Sequence, residues 1–255
     1  MKNIFIKVIA ILGIVLVLQA NLFAQSPKFK VLILAERGGY HEGFVVAALE
    51  WLNQLAPEKG FEFTVVNNTN LIDEAYLSKY KVFMQLNYPP YMWTDKAKEA
   101  FVKYIVEGRG GWVGFHHASL LGEFDGYQMW DWFSGFMGGI RYKNYIAATA
   151  SAKVNVEEGH HPVMEGVSSS FVIPDDEWYT FDKNPRPNVH VLASVDESTY
   201  SIITDIKMGD HPVIWVNEKM KARNVYFLMG HHAHLLNSTE FKTMVTNAIL
   251  WTASK

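Results

Sequence analysis

Short apolar runs alternate with stretches of helical periodicity along much of the chain. Lys30 to Ala35 reads Lys-Val-Leu-Ile-Leu-Ala, too short for a helix, and leads past Gly38 and Gly39 into a helical pattern from about Gly43 to Ala56. A short apolar run that ends in turn residues and feeds a helix predicts a buried parallel strand. Phe61–Val66, Tyr80–Leu86 and Trp112–Phe115 predict three more. Ahead of the last of these, Ala97, Ala100, Phe101, Tyr104 and Ile105 fall on one helical face and predict a helix over Thr94–Glu107. Thr94 can cap its start by accepting a backbone N–H, and Gly108 can supply the left-handed residue that ends it.

The middle is less periodic. Tyr127–Val156 is rich in aromatics and glycine and predicts a loop excursion followed by an extended segment, after which Phe171–Phe181 and Val189–Val195 read as strands. Pro212–Val216 and Asn224–Met229 predict the last two strands, and Phe241, Met244, Val245, Ala248 and Ile249 line one face of a final helix from about Ser238 to Thr252. Asn237 with Glu240 three residues on predicts a capping box there. Strands alternating with helices imply an α/β fold with a mostly parallel central sheet and helices on both faces. No repeat, low-complexity segment or linker interrupts the pattern, so residues 25–255 are expected to form a single domain.

The first 24 residues stand apart from this pattern. Lys2 and Lys7 flank an apolar run from Ile4 to Leu18, and Leu22-Phe23-Ala24 closes the segment with a small residue. This is the layout of a signal peptide, and the run falls short of the roughly 20 apolar residues that span a bilayer. The expectation is a periplasmic or secreted protein with no stable membrane span once the signal is cut. The full chain is 49% hydrophobic and 14% aromatic, enough to fill a large core, which it must do without disulfides because it has no cysteine. The same absence excludes thiol nucleophiles and thiolate metal sites. A net charge of −3, with no basic stripe, argues against nucleic acid and for a small neutral or modestly anionic ligand. Oligomeric state is not legible.

In open parallel sheets, ligands gather beyond the carboxyl ends of the strands. After the first strand comes Glu36-Arg37-Gly38-Gly39-Tyr40-His41, after the fourth His116-His117-Ala118-Ser119, and after the last Gly230-His231-His232-Ala233-His234. Six of the ten histidines fall in these three loops, which points to imidazole as base, proton donor or metal ligand. The alternative is polar loops whose histidines only bond backbone. No H-E-x-x-H, phosphate-loop or G-x-S-x-G motif is present. A divalent metal drawn from separate loops (His41, His116, Glu177 and His231) stays open on spacing alone. Asp175-Asp176-Glu177-Trp178-Tyr179 sets carboxylates beside aromatics, as a carbohydrate site would, or as a solvated turn before a strand would. Trp130 to Phe133 read as core.

Several segments together resemble the trehalose-utilisation (ThuA-like) family. They are Val31-Leu-Ile-Leu with Gly39-Tyr40-His41, then Gly108-Arg-Gly-Gly-Trp-Val-Gly-Phe-His116-His-Ala118, and His161-Pro162 with Gly166-Val167. Asp176-Glu177-Trp-Tyr179, His211-Pro-Val-Ile-Trp215, Arg223-Asn-Val-Tyr-Phe-Leu-Met-Gly230-His231 and Trp251 continue the match. The resemblance implies a flavodoxin-like, class I glutamine amidotransferase-like fold and a role in the use of glycosides, including keto-sugars. The cysteine that amidotransferases carry after a central strand is replaced by Phe115-His116-His117, so thiolate glutamine hydrolysis is excluded. Carried over by position, His116, His231, Glu177 and His41 are the expected catalytic residues, with Glu36, Arg37, Tyr40, His117, Trp178, Tyr179 and His232 expected to bind a small carbohydrate or glycoside. The doubled histidines leave each register open by one residue. The implied activity is that of a sugar-processing hydrolase, lyase or isomerase using His/Glu acid–base chemistry; binding without catalysis and metal-dependent hydrolysis are the alternatives.

Overall fold

A computed structural model describes residues 27–254 of the chain, so the signal-peptide reading of residues 1–24 lies outside the described residues. The first half contains β1 (Phe29–Ala35), α1 (Glu42–Lys59), β2 (Phe61–Val66), α2 (Glu74–Leu77), β3 (Val82–Leu86), α3 (Asp95–Val106) and β4 (Gly111–Phe115). The second half contains α4 (Asp131–Phe136), β5 (Tyr142–Tyr145), β6 (Ala150–Val156), β7 (Ser170–Asp176), β8 (Tyr179–Phe181), β9 (His190–Asp196), β10 (Pro212–Val216), β11 (Asn224–Phe227) and α5 (Thr239–Ala253). Nine strands form one mixed sheet in the order β2-β1-β3-β4-β11-β10-β9-β6-β7, and β5 pairs with β8 in a separate ribbon.

The five strands β2, β1, β3, β4 and β11 are parallel, which is the α/β arrangement expected of a flavodoxin-like fold. The other four extend the sheet antiparallel. Alternation along β4 explains why helices cover both faces, because successive side chains point to opposite sides of a sheet. Trp112 packs against Phe133 and Phe136 of α4, while Phe115 meets Phe44 of α1, Phe241 of α5 and Phe227 of β11. Each fully buried aromatic contributes about 1.5–3 kcal/mol through lost apolar surface, so packing on both faces stabilises the sheet.

Three sequence expectations change. Phe171–Phe181 is two strands, since Glu177 and Trp178 leave the ladder between β7 and β8. The final helix is capped by Ser238, whose Oγ accepts the Phe241 N–H at 3.1 Å, and not by Asn237. The irregular stretch Tyr127–Val156 contains α4, a helix of one and a half turns that is too short and too uniformly aromatic to show a period. Among the described residues no helix is long and apolar enough to cross a membrane.

Candidate functional site

The parallel strands deliver their loops to one rim. Glu36 follows β1, and His41 sits at the start of α1 with no capping bond from its side chain. His116 is the first residue after β4, where its φ of +38° turns the chain sharply. A non-glycine residue held there costs about 1–3 kcal/mol and persists only where its surroundings over-determine it. Ser119 Oγ donates to the His116 carbonyl at 2.9 Å, and the Tyr226 hydroxyl lies 2.7 Å from Ser119 Oγ. His231 lies beyond β11. Glu177 arrives from the opposite half of the sheet, on the link between β7 and β8.

Their side chains converge. Glu177 Oε2 lies 3.1 Å from His116 Nε2, 3.4 Å from His231 Nδ1 and 3.9 Å from His41 Nε2. All four ligand-capable atoms fall within 4.8 Å of one another. Tetrahedral bonds of about 2.0–2.1 Å set ligand atoms about 3.3 Å apart, close to the 3.1 and 3.4 Å from Glu177 to His116 and His231, while His41 at 3.9 Å must move inward to join them. His41 Nε2 and His231 Nδ1 are buried with no hydrogen-bond partner.

The His116 tautomer sharpens this. Its Nδ1 lies 2.8 Å from the Leu228 carbonyl, which can only accept, so Nδ1 carries the proton. Neutral His116 therefore turns the lone pair of Nε2 toward the Glu177 carboxylate, and two acceptors at 3.1 Å need a cation or a second proton between them. Burial, aided by neighbouring imidazoles, holds His116 down at about 3 against the pull of Glu177. Burial lowers His41 too. Glu177 is pushed up by burial, yet the three imidazoles hold it well below the usual carboxylate range. His231 is lowered by burial but raised on balance by Glu177. Free imidazole nitrogens on His41 and His116 beside an ionised carboxylate are the protonation states a metal requires.

An outer layer fixes these groups. Asp176, fully buried, accepts the backbone N–H of Gly230 at 3.0 Å and of His231 at 2.9 Å. Burial raises its carboxyl to about 6 despite those bonds. Asn87 donates to the Gly230 carbonyl at 2.7 Å. Glu36 stands 3.9 Å from His41 Nδ1 and accepts from His117 Nδ1 at 3.0 Å. A carbonyl behind His116 is the kind of partner that orients a metal-binding imidazole, whereas Glu36 is too far from His41 Nδ1 to hydrogen-bond it.

The structure divides the remaining expected residues. Glu36 and His117 border the cluster, and Tyr179 stacks on His116 at 4.2 Å. His232 turns aside to pack between His231 and His234. Arg37 lines a groove with Val65, Asn67 and Leu71, away from the imidazoles, and Tyr40 is 90% exposed. Trp178 is fully buried with its indole N–H on the Ala150 carbonyl, so no ring face is left to stack on a sugar. Sequence reasoning missed Asp176 and Asn87 as buried anchors and missed Tyr91 and Tyr142 near the cluster. Asn87 and Tyr91 follow the third strand, so the strand-end rule extended to that loop finds them; Tyr142 lies in the aperiodic stretch, which carries no such signal.

The ThuA family model, described as trehalose utilisation, matches residues 30–252. A ThuA-like protein from Bacteroides uniformis is 29% identical, with a TM-score of 0.81 over 91% of this chain and 94% of the other. One from Parabacteroides merdae, 14% identical, superimposes with a TM-score of 0.65 over 89% and 90% of the two chains. A cytoplasmic protein from Salmonella typhimurium, 12% identical, gives 0.53 over 89% and 100%, a likeness of fold alone. No curated protein matches the chain. With nearly all the described sequence inside the family model and the same fold in its structural relatives, the chain belongs to the ThuA trehalose-utilisation family, a group with a carbohydrate-related role.

Proposed function

We propose that this protein is an exported, metal-dependent enzyme that processes a glycoside or its keto form, with His41, His116, His231 and Glu177 holding one divalent transition ion. The observation that carries the reading is the His116 Nε2 lone pair facing Glu177 Oε2 at 3.1 Å, with the unpartnered nitrogens of His41 and His231 aimed at the same oxygen. Three imidazoles and a carboxylate suit zinc, iron or a similar borderline ion. Such an ion supplies Lewis acidity to a carbonyl or hydroxyl oxygen of the sugar.

His116 fits the role of ligand better than that of general base. One nitrogen is committed to Leu228, the other faces Glu177, and no part of the ring reaches solvent. The Glu36–His117 pair borders the centre and is partly accessible, so it serves to bind and orient a substrate hydroxyl. The family's carbohydrate-related role and the signal-like N-terminus support a sugar outside the inner membrane.

Elemental analysis and calorimetric titration of untagged protein with zinc and manganese test the centre. About one ion per chain is expected. Glu177→Gln and His116→Ala should each weaken binding by more than the ~10–100-fold that loss of an outer partner costs. Full affinity in both variants overturns the assignment. Product analysis with keto-disaccharides then separates turnover from mere binding.

A further inference from the structure

A continuous row of aromatic rings leads outward from the cluster. Tyr179 stacks on His116, Tyr142 meets Tyr179 edge-on at 5.1 Å, and Phe124 meets Tyr142 at 5.9 Å. Tyr91 follows at 5.1 Å from Phe124, and Tyr127 at 5.7 Å from Tyr91. Burial falls along the row. Tyr179 is buried, Tyr142, Phe124 and Tyr91 are half-buried, and Tyr127 is 49% exposed. A cluster built only to fill a core closes on itself, as Trp93, Phe101, Trp130 and Phe133 do beneath α3. This row opens to solvent.

Its outer end is held in place. Phe124 and Tyr127 face each other across Asp125 and Gly126, whose φ values of +54° and +83° are those of a tight hairpin turn. The Tyr127 N–H donates to the Phe124 carbonyl at 2.8 Å. Tyr91 rides on a single 3-10 turn that begins at Pro90 and follows Pro89, which restricts its backbone. Rigid aromatic side chains lose little freedom on binding.

Charge narrows the ligand. Carboxylates flank the row: Asp125 sits in the turn between Phe124 and Tyr127, Glu177 lies two residues before Tyr179, and Glu36 accepts from His117, whose ring stacks on Tyr179 at 6.3 Å. Aromatic faces with hydroxyl edges beside carboxylates favour a neutral, hydroxyl-bearing ring over a sugar phosphate. C–H faces of the ring pack on the aromatics and its hydroxyls meet phenols and carboxylates.

We propose that Tyr142, Phe124, Tyr91 and Tyr127 form a stacking subsite for a second neutral pyranose ring of the substrate, the one across the glycosidic bond from the ring held at the metal centre. This rests on the reading of the cluster as the reacting site and names its substrate as a two-ring glycoside.

Ligand-observed NMR titrations of the full chain with methyl α-glucopyranoside, trehalose, 4-nitrophenyl glucoside and glucose 6-phosphate test it, with metal content measured on the same samples. Trehalose should bind about tenfold tighter than the one-ring glucoside, the scale of one good aromatic contact. The double variant Tyr91→Ala/Tyr127→Ala, at the outer end of the row, should erase that preference while keeping metal content and one-ring affinity. No preference in the wild type, including no binding of either sugar, overturns the subsite. So does a preference that survives the double variant, or tighter binding of the nitrophenyl or phosphate probe than of trehalose. Metal content near zero with the two-ring preference intact overturns the metal centre and leaves the subsite standing.

Discussion

The Asp176 carboxylate accepts the His231 backbone N–H at 2.9 Å, so a residue that touches no ligand sets the position of one that would. The same carboxylate holds Gly230 and precedes Glu177 directly, tying the end of β7 to the loop after β11. Asp176→Asn keeps the volume but turns an amide N–H₂ toward at least one of those donors. The expected result is a loss of about 1–3 kcal/mol of stability, because a buried backbone donor is left unpaired. Metal affinity should also fall by about 10–100-fold, as for other outer-layer partners. Urea denaturation and metal titration on one preparation check both; unchanged affinity refutes the positioning role.

Gly230 is required by space as well as by backbone. Its φ is +154°, and a Cβ there would stand 2.9 Å from His116 Cβ and 3.0 Å from Asn87 Oδ1. Neither neighbour is the free end of a flexible chain. Gly230→Ala should therefore cost about 1–3 kcal/mol by overpacking and displace the His116 ring. The midpoint of urea unfolding measures the first effect and zinc affinity the second.

Trp178 separates core from ligand contact. Trp178→Ala should destabilise by about 3–5 kcal/mol, the usual cost of emptying a buried aromatic site. Trp178→Phe should leave sugar affinity unchanged while lowering the unfolding midpoint, since only the bond to Ala150 and part of the volume are lost. A sugar-binding defect in the phenylalanine variant would return Trp178 to the ligand.

His161 gives the protein an acid-sensitive cap away from the cluster. Its Nδ1 accepts the Val163 N–H at 3.2 Å, and its ring packs edge-on to Trp251 at 4.6 Å. Burial and the nearby His190 lower its folded-state pKa, so as pH drops below about 6.5 the unfolded chain takes up the proton first. Stability from this group is complete above that pH and is lost as pH falls toward the folded value. His161→Asn keeps an acceptor without the titration. Its urea midpoint should fall less between pH 7.5 and pH 5.0 than that of the wild type; equal falls refute the assignment.

Much of the parallel half was legible because β1, β3, β4 and β11 are short, mainly apolar runs, the first leading into a helical pattern and the last two into histidine loops. Phe171–Phe181 reads as one strand although Asp175–Tyr179 also fits a turn before a strand, and local pattern does not choose between the two; Glu177 and Trp178 leave the ladder. The histidine loops could be named from strand ends, but not the choice between neighbours. The turn at His116 directs that ring to Glu177 and Leu228 while His117 goes to Glu36, a decision made by backbone geometry that spacing does not encode. Glu177 was singled out on composition and family likeness. Its approach from an edge strand far from β4 in the sheet order is a long-range arrangement that no local pattern reports.

The four converging groups come from residues 41, 116, 177 and 231, so they become neighbours only after β11 has been inserted between β4 and β10. Loop-closure entropy makes such distant pairings late events in folding. An ion therefore has nothing to grip in the nascent or partly folded chain and cannot serve as a template in the way zinc organises a finger. An ion held at the proposed centre would load onto a finished protein, and a chelator should strip it while the sheet stays assembled.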